Sequence, residues 1–308
     1  MDSLPKNFMP RVSVIIPTYN RPGLLPRAVN SAHKAGEDVE VIVVDDASID
    51  ETAEVCRSLR GIKYLRLERN QGVAGARNVG VLASSADFIA FLDDDDIRLP
   101  GTLDLQLREF AREPDLGFVC GPVLCAGQGG ELTGEVSSPK HPGGDMFWEL
   151  LKLEFPVFPL TVVMRKECFF RVGLFDKDIP GVDDWDLFVR VAELYRAAVV
   201  TYPLGIYRMA TPSSAQGTSS LSAHLTLIAR QQQKLLGLPR VAVAGAGRKA
   251  ARRMALDNIS DILLWNTYTW LPRGERRYSF SCLVTALRIN PWGVFRPSTF
   301  KKGLRKLL

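Results

Sequence analysis

The sequence predicts an α/β fold, with a mostly parallel sheet flanked by helices and continued by a helical C-terminal extension. Three observations carry this expectation. Short apolar runs alternate with helix-period segments through residues 11–112, polar clusters follow three of those runs, and the charge changes character near Arg240.

In chain order, residues 11–16 (Arg-Val-Ser-Val-Ile-Ile) read as a buried strand, and Leu24, Leu25, Ala28 and Ala32 recur at helical spacing between Gly23 and Ala35. Residues 39–44 form a second strand, after which Ser48 and Glu51 make a capping box opening a helix toward Leu59. A third strand is expected at 63–67, a small-residue helix at 75–84, a fourth strand at 87–92 and a helix at 102–112, entered after Pro100. This alternation requires crossover helices, which cover both faces of a largely parallel sheet. Residues 117–175 are less regular, with strands near 117–124 and 160–164 and a helix near 145–153; a strongly patterned helix begins at about Asp184. Ala210–Ser222 has no charge and no period and reads as a loop or flap. Helices follow at 223–236 and 246–265, and Phe295–Leu308 ends the chain as a basic amphipathic piece. The expected organisation is a catalytic domain at 1–210, a flexible loop at 211–222 and a basic helical region at 223–308.

The 308 residues are 46% apolar and 24% charged, enough for a real core. No run approaches the roughly 18 apolar residues of a spanning helix. The opening Met-Asp-Ser-Leu-Pro-Lys-Asn-Phe lacks a basic start followed by an apolar stretch, so a cytoplasmic address is expected. Five cysteines without a Cys-x-x-Cys pair and three scattered histidines offer no zinc spacing. The net charge of +5 is uneven: from Arg240 onward there are 14 Lys and Arg against 3 Asp and Glu, a net +11, leaving −6 before it. A basic tail carrying Trp265, Trp270 and Trp292 suggests contact with an anionic phospholipid surface or a phosphorylated acceptor, and an acidic body suggests handling of a cation. The plainer alternative for the tail is a packed helical region with a solvated basic face. No nucleic-acid partner is expected.

In open α/β sheets, ligands bind outside the carboxyl ends of the strands. Those positions hold Pro17-Thr18-Tyr19-Asn20-Arg21, Asp45-Asp46-Ala47-Ser48 and Asp93-Asp94-Asp95-Asp96. Carboxylates that stay ionised and close need a cation, and oxygen-only donors favour magnesium or manganese. The first strand is not followed by Gly-x-Gly-x-x-Gly, and neither Walker A nor Gly-x-Ser-x-Gly occurs. Gly245-Ala246-Gly247-Arg248-Lys249 lacks phosphate-loop spacing.

The succession Pro17–Arg21, Val44–Thr52, Asn70-Gln71-Gly72-Val73-Ala74-Gly75-Ala76-Arg77-Asn78-x-Gly80 and Phe91–Asp96 resembles the family-two inverting glycosyltransferases of the GT-A fold. Val172-Gly173-x-Phe175-Asp176 and Asp183-Asp184-Trp185-Asp186-Leu187 are similar to that family's acceptor-side segment, so the resemblance covers roughly residues 11–210. It implies a Rossmann-like mixed sheet and transfer of a sugar from a nucleotide-sugar donor, UDP-linked, to a carbohydrate or lipid-linked acceptor in cell-surface polysaccharide or glycolipid synthesis. By the same resemblance Pro17, Thr18 and Tyr19 line the base pocket, with Arg21 in the nucleotide-sugar-binding set. Asp46 pairs with the base, Arg77 contacts the nucleotide, Asp93 and Asp94 hold sugar and ribose hydroxyls, Asp95 ligates manganese or magnesium, and Asp184 is the general base. Two departures stand out: Asp183 occupies a position where the family often has Glu, and Ala210 one where many relatives carry a histidine near the metal. Plainer alternatives are packing for Tyr19, pairing with a surface carboxylate for Arg77 and a helix N-cap for Asp184.

Displacement at an anomeric carbon needs a base for the acceptor hydroxyl and an electrophile for the departing diphosphate. A single base without a second catalytic carboxylate suits inversion. Three rivals remain: a sugar-phosphate nucleotidyltransferase, a phosphoryl-transfer hydrolase with Asp93 as nucleophile, and a catalytically silent nucleotide-sugar-binding protein on the same scaffold. The expected location is cytoplasmic, with peripheral contact at the inner face of the plasma membrane.

Overall fold

A computed structural model describes residues 10–127, 129–208, 221–244, 247–271 and 276–294. The chain divides into two compact units, one of residues 1–146 with 155–211 and one of residues 147–154 with 212–308. The loop expected at 211–222 lies outside the described residues as far as Ser220, as do Ala210, Gly245, Ala246 and the terminal segment from Phe295.

The first unit opens with β1 (Val12–Thr18), α1 (Leu25–Lys34), β2 (Val39–Asp45), α2 (Thr52–Ser58) and β3 (Ile62–Arg66). It continues through α3 (Gly72–Ala83), β4 (Phe88–Phe91), β5 (Ile97–Arg98), α4 (Thr102–Arg112), β6 (Leu116–Cys120), β7 (Val123–Ala126) and β8 (Leu132–Ser137). After a single turn of 3-10 helix at Pro159–Thr161 come β9 (Val163–Arg165), α6 (Lys166–Val172), α7 (Asp183–Leu194), β10 (Arg196–Val199) and β11 (Gly205–Arg208); α5 (Phe147–Leu151) belongs to the second unit. The strand–helix alternation expected from the sequence is present, and the helix expected at 102–112 has those bounds.

The main sheet runs β10-β6-β9-β4-β1-β2-β3. Only β9 is antiparallel to its neighbours, β4 and β6. The remaining pairings are parallel, so the sheet is mixed and mostly parallel. A smaller sheet runs β5-β11-β7-β8, and only β7 and β8 of it come from the stretch 117–175 expected to be less regular. One core forms where β1 and β2 meet α1 and α4, around Val14, Ile16, Leu25, Val43 and Leu103. On the other face Phe91 meets Phe169 and Phe175 edge to ring, and those two rings are tilted against each other.

Two local details position the site. β1 pairs with β2 as far as Thr18↔Asp45, but with β4 only as far as Ile15↔Phe91. Pro17, which has no N–H to donate, therefore falls where β1 and β4 part and a crevice opens. Gly80 lets α3 lie directly on β1, because a Cβ there would overlap the Ile15 side chain. Gly80→Ala is accordingly expected to cost about 1–3 kcal/mol of unfolding free energy by overpacking. Urea denaturation reads this, and an unchanged midpoint would contradict so close an approach.

The capping box expected at Ser48 and Glu51 does not form: α2 starts at Thr52, and Glu51 makes no side-chain cap. Asp50 accepts the Thr52 N–H instead, at 3.0 Å. Ser48 is committed elsewhere, its N–H given to Asp45 Oδ1 at 2.8 Å and its hydroxyl accepting the Asn20 N–H at 3.0 Å.

The second unit contains α5, α8 (Leu221–Leu235), α9 (Pro239–Val243), α10 (Gly247–Trp270), α11 (Arg276–Ile289) and α12 (Pro291–Val294). Ile259, Leu263 and Leu264 of α10 pack on Cys282 and Ala286 of α11. The Gln232 side chain donates to the Leu151 carbonyl at 2.9 Å, tying α8 to α5. Among the described residues no helix is long and apolar enough to cross a membrane.

Candidate active site

The strand order reverses between β1 and β4, the topological switch point at which open α/β sheets bind ligands. The three polar clusters predicted from the sequence meet on this edge. The Thr18 hydroxyl, at the end of β1, donates to Asp94 Oδ2 across the crevice at 2.7 Å. Arg21 Nη1 reaches Asp94 Oδ1 at 2.9 Å and Asp95 Oδ2 at 2.8 Å. Tyr19 is 43% exposed, so it does not simply pack in the core.

Asp46, just past β2, is buried and accepts the Gln71 N–H at 2.7 Å. The Asn70 side chain donates to the Asp46 carbonyl at 3.2 Å. Burial raises the Asp46 carboxyl above its ordinary value against the pull of the Gln71 N–H.

The four aspartates after β4 do not share one environment. Asp94 is buried and pushed up to about 6, chiefly by burial, although Arg21 and the Thr18 hydroxyl pull the other way. Asp95 is raised by burial and by the Asp93 charge, against Arg21. Asp96 turns inward, where its Oδ1 accepts the Arg208 N–H at 2.8 Å, and burial with the Asp93 charge raises it well above the usual carboxylate range. Asp93 and Asp95 keep 38% and 14% of their side-chain surface and are the more open of the four, while Asp94 keeps 5%.

Arg77, on α3, is buried and joins two parts of the site. Its Nη2 contacts Asp93 Oδ1 at 2.7 Å and its Nη1 contacts Asp183 Oδ2 at 3.4 Å. The guanidinium lies 5.6 Å from the centre of the Phe175 ring, and its Nε has no hydrogen-bond partner among the described residues. Burial works against its charge, and the carboxylates of Asp93, Asp183 and Asp184 outweigh it. Arg77 thus pairs with the site's own aspartates, not with a surface carboxylate.

Asp183 and Asp184 open α7, whose N-cap position is Val182. Asp184 therefore lies in the first turn and not at the cap, and its Oδ1 accepts the Trp185 N–H at 2.7 Å. Burial, then the charge of Asp183, pushes the half-buried Asp184 up to about 7 against the influence of Arg77. Asp186 is different, being bound to Arg190 Nη2 at 2.7 Å.

Two residues that sequence reasoning gave no role hold the acceptor-side segment. The Asn78 side chain donates to the Phe175 carbonyl and accepts the Phe175 N–H, both at 2.9 Å. Arg190 donates to the carbonyls of Val172, Gly173 and Leu174. The position of Asn78 in the Arg-Asn-x-Gly run was the available signal; for Arg190 there was none.

Among the described residues no three His, Cys, Asp or Glu converge into a protein-only metal cage. A magnesium-type ion does not need one, since it keeps waters and takes phosphate oxygens alongside one or two carboxylates. The oxygen donors Asp93 and Asp95, accessible and in a cluster where carboxylates outnumber Arg21 and Arg77, fit such an ion and not zinc.

The mostly parallel sheet with its carboxylate-lined crevice at the switch point is an α/β fold of the GT-A type. The Glycosyl transferase family 2 model matches residues 13–170, half of the chain, and the chain belongs to that family. A Haemophilus influenzae protein described as an uncharacterized glycosyltransferase is 28% identical over 188 residues, 59% of this chain and 62% of that one. The Campylobacter jejuni GalNAc(5)-diNAcBac-PP-undecaprenol beta-1,3-glucosyltransferase is 41% identical over 107 residues, 33% of this chain and 35% of the relative. The chain thus spans less than two thirds of the length of these relatives. Residues 1–349 of Staphylococcus aureus TarS in complex with UDP-GlcNAc superpose with a TM-score of 0.58 at 16% identity, covering 95% of this chain and 92% of that one. The mannosyltransferase PcManGT of Pyrobaculum calidifontis, in complex with GDP-Man and Mn2+, gives 0.58 at 19%, covering 93% and 88%. At these identities the likeness establishes the fold alone.

Proposed function

We propose that the chain transfers a glycosyl group from a nucleotide sugar, UDP-linked, to an acceptor hydroxyl with inversion, in cell-surface polysaccharide or glycolipid synthesis. The observation that carries this reading is the convergence at the end of β1 of Asp46, whose N–H donates to the Thr18 carbonyl, with Asp94 and Asp95, held by Thr18 and Arg21, and Asp93, which Arg77 links to the helix that bears Asp184. Pro17, Thr18, Tyr19 and Asp46 receive the base, Asp46 by accepting its N–H. Arg21 orients Asp94 and Asp95, and Asp93 and Asp94 take sugar and ribose hydroxyls. Arg77 serves the nucleotide by fixing Asp93. Asp95, with Asp93 beside it, would hold manganese or magnesium, which supplies charge neutralisation for the diphosphate. Asp184 accepts the proton of the attacking hydroxyl.

The Campylobacter relative, named for a lipid-linked substrate, supports a lipid-linked or carbohydrate acceptor. The TarS and PcManGT complexes support a nucleotide-sugar donor and a divalent ion. The test is nucleotide release from UDP-, GDP- and dTDP-sugars with manganese present. UDP release that rises with acceptor is expected. Binding without release would make the chain a silent binding protein, and pyrophosphate formed from a nucleoside triphosphate and a sugar phosphate would make it a nucleotidyltransferase.

A further inference from the structure

We propose that the outward face of α11, together with the start of α12, docks on an anionic phospholipid surface. α11 turns Ser279, Cys282 and Ala286 into the core of the second unit. An ordinary surface helix would present polar residues opposite that stripe. Here Phe280 is 67% and Leu287 37% exposed, with the partly exposed Val284 between them on the same stripe. Just beyond the helix, Trp292 is 83% exposed.

The exposed charges carried by α11 itself are basic, while Glu275 precedes Arg276 and Asp257 of α10 accepts from the Asn290 side chain at 2.7 Å. Arg276, Arg277 and Arg288 are exposed and flank the band. From Arg276 to Leu308 the sequence has eight Lys and Arg and no Asp or Glu, so nothing in this stretch counters them. The side chains of Trp265 and Trp270 and the end from Phe295 lie outside the described residues.

An apolar band edged by arginines, with an accessible tryptophan, matches the chemistry of an anionic membrane interface: acyl chains for Phe280 and Leu287, headgroups for the arginines, and the boundary for Trp292. A second copy fits less well, because a two-fold contact through this face would bring like arginines together. A small soluble anion would leave Phe280, Leu287 and Trp292 without a role. The inference does not depend on the donor chemistry.

The experiment is co-sedimentation of the full chain with phosphatidylcholine vesicles and with vesicles that also contain phosphatidylglycerol. Binding to the anionic vesicles only, weakened by added salt, is expected. The triple variant R276Q/R277Q/R288Q should lose about a hundredfold in partition coefficient, since each basic residue near such a surface contributes about fivefold. The variant F280S/L287S/W292S should lose at least about tenfold while keeping its charge. Both should melt as the parent does, because all six side chains are exposed; Arg57→Gln, exposed on the first unit, should change nothing. Equal partition onto neutral vesicles, or undiminished binding by both triple variants, overturns the proposal. So does failure to bind either vesicle while the chain dimerises, or binds an acidic protein, through Phe280 and Leu287.

Discussion

Asp184→Asn is expected to lower turnover by about 10²–10⁴-fold while donor affinity stays near normal, because it removes a positioned proton acceptor and keeps the shape and polar contacts. In the parent, burial and the Asp183 charge hold the Asp184 carboxyl at about 7. A base works in its ionised form, so kcat/KM should rise with pH through about 7 and flatten above it, and this limb should vanish in the Asn variant. Asp95→Asn should fail differently: both donor binding and turnover weaken, since Asp95 is assigned to the ion that holds the diphosphate in ground state and transition state. Titration calorimetry with donor and manganese, beside nucleotide release with acceptor, separates the two. Should Asp184→Asn keep most of its turnover, the base lies elsewhere, with Asp176 next in line. Asp183 and Asp186 are the poorer candidates because Arg77 and Arg190 already hold their buried carboxylates.

Arg77→Met is expected to have the largest effect on stability, about 3–5 kcal/mol, because removing one member of a buried charge cluster strands its partners. Asp183, with 2% of its side chain exposed, would lose its cation, and Asp93, with 38%, would be partly rescued by water. The loss should depend on pH. Burial already raises the Asp183 carboxyl despite Arg77, and removal of the guanidinium raises it further. A carboxyl with a raised folded-state value binds more protons folded than unfolded, so stability falls as pH rises through that interval. Arg77→Met should therefore be most damaged at high pH and should recover as pH drops toward the ordinary carboxylate range. Denaturation midpoints at pH 5 and pH 8 check this; an equal, small loss at both would mean that Arg77 is not the strut that joins Asp93 to α7.

What the sequence made legible was local. Strands with continuous apolar runs, such as Val41–Val44, and helices with clear period, such as Thr102–Arg112, stand where their patterns put them. The strand-end aspartates were legible too, because a parallel sheet sends all such ends to one edge. What escaped depends on partners far along the chain. β9 overlaps the strand expected near 160–164, but its antiparallel place between β4 and β6 is set only by pairing with those distant strands. Asn78 finds Phe175 across 97 positions, and Arg77 finds Asp183 across 106. Ser48 was misread as a helix cap because Asn20, which its hydroxyl serves, sits on another strand end. Nor did the run of four aspartates disclose that Asp96 turns inward to the Arg208 N–H while Asp93 and Asp95 stay open.

The most direct test of a donor nucleotide at the β1/β4 edge is calorimetric titration of UDP, with manganese, into the full chain and into Asp46→Ala. Saturable one-site binding by the parent, weakened about tenfold or more by loss of the carboxylate that accepts from the base, is the expected result. No heat from any nucleoside diphosphate with metal, or an affinity unchanged by Asp46→Ala, would contradict it.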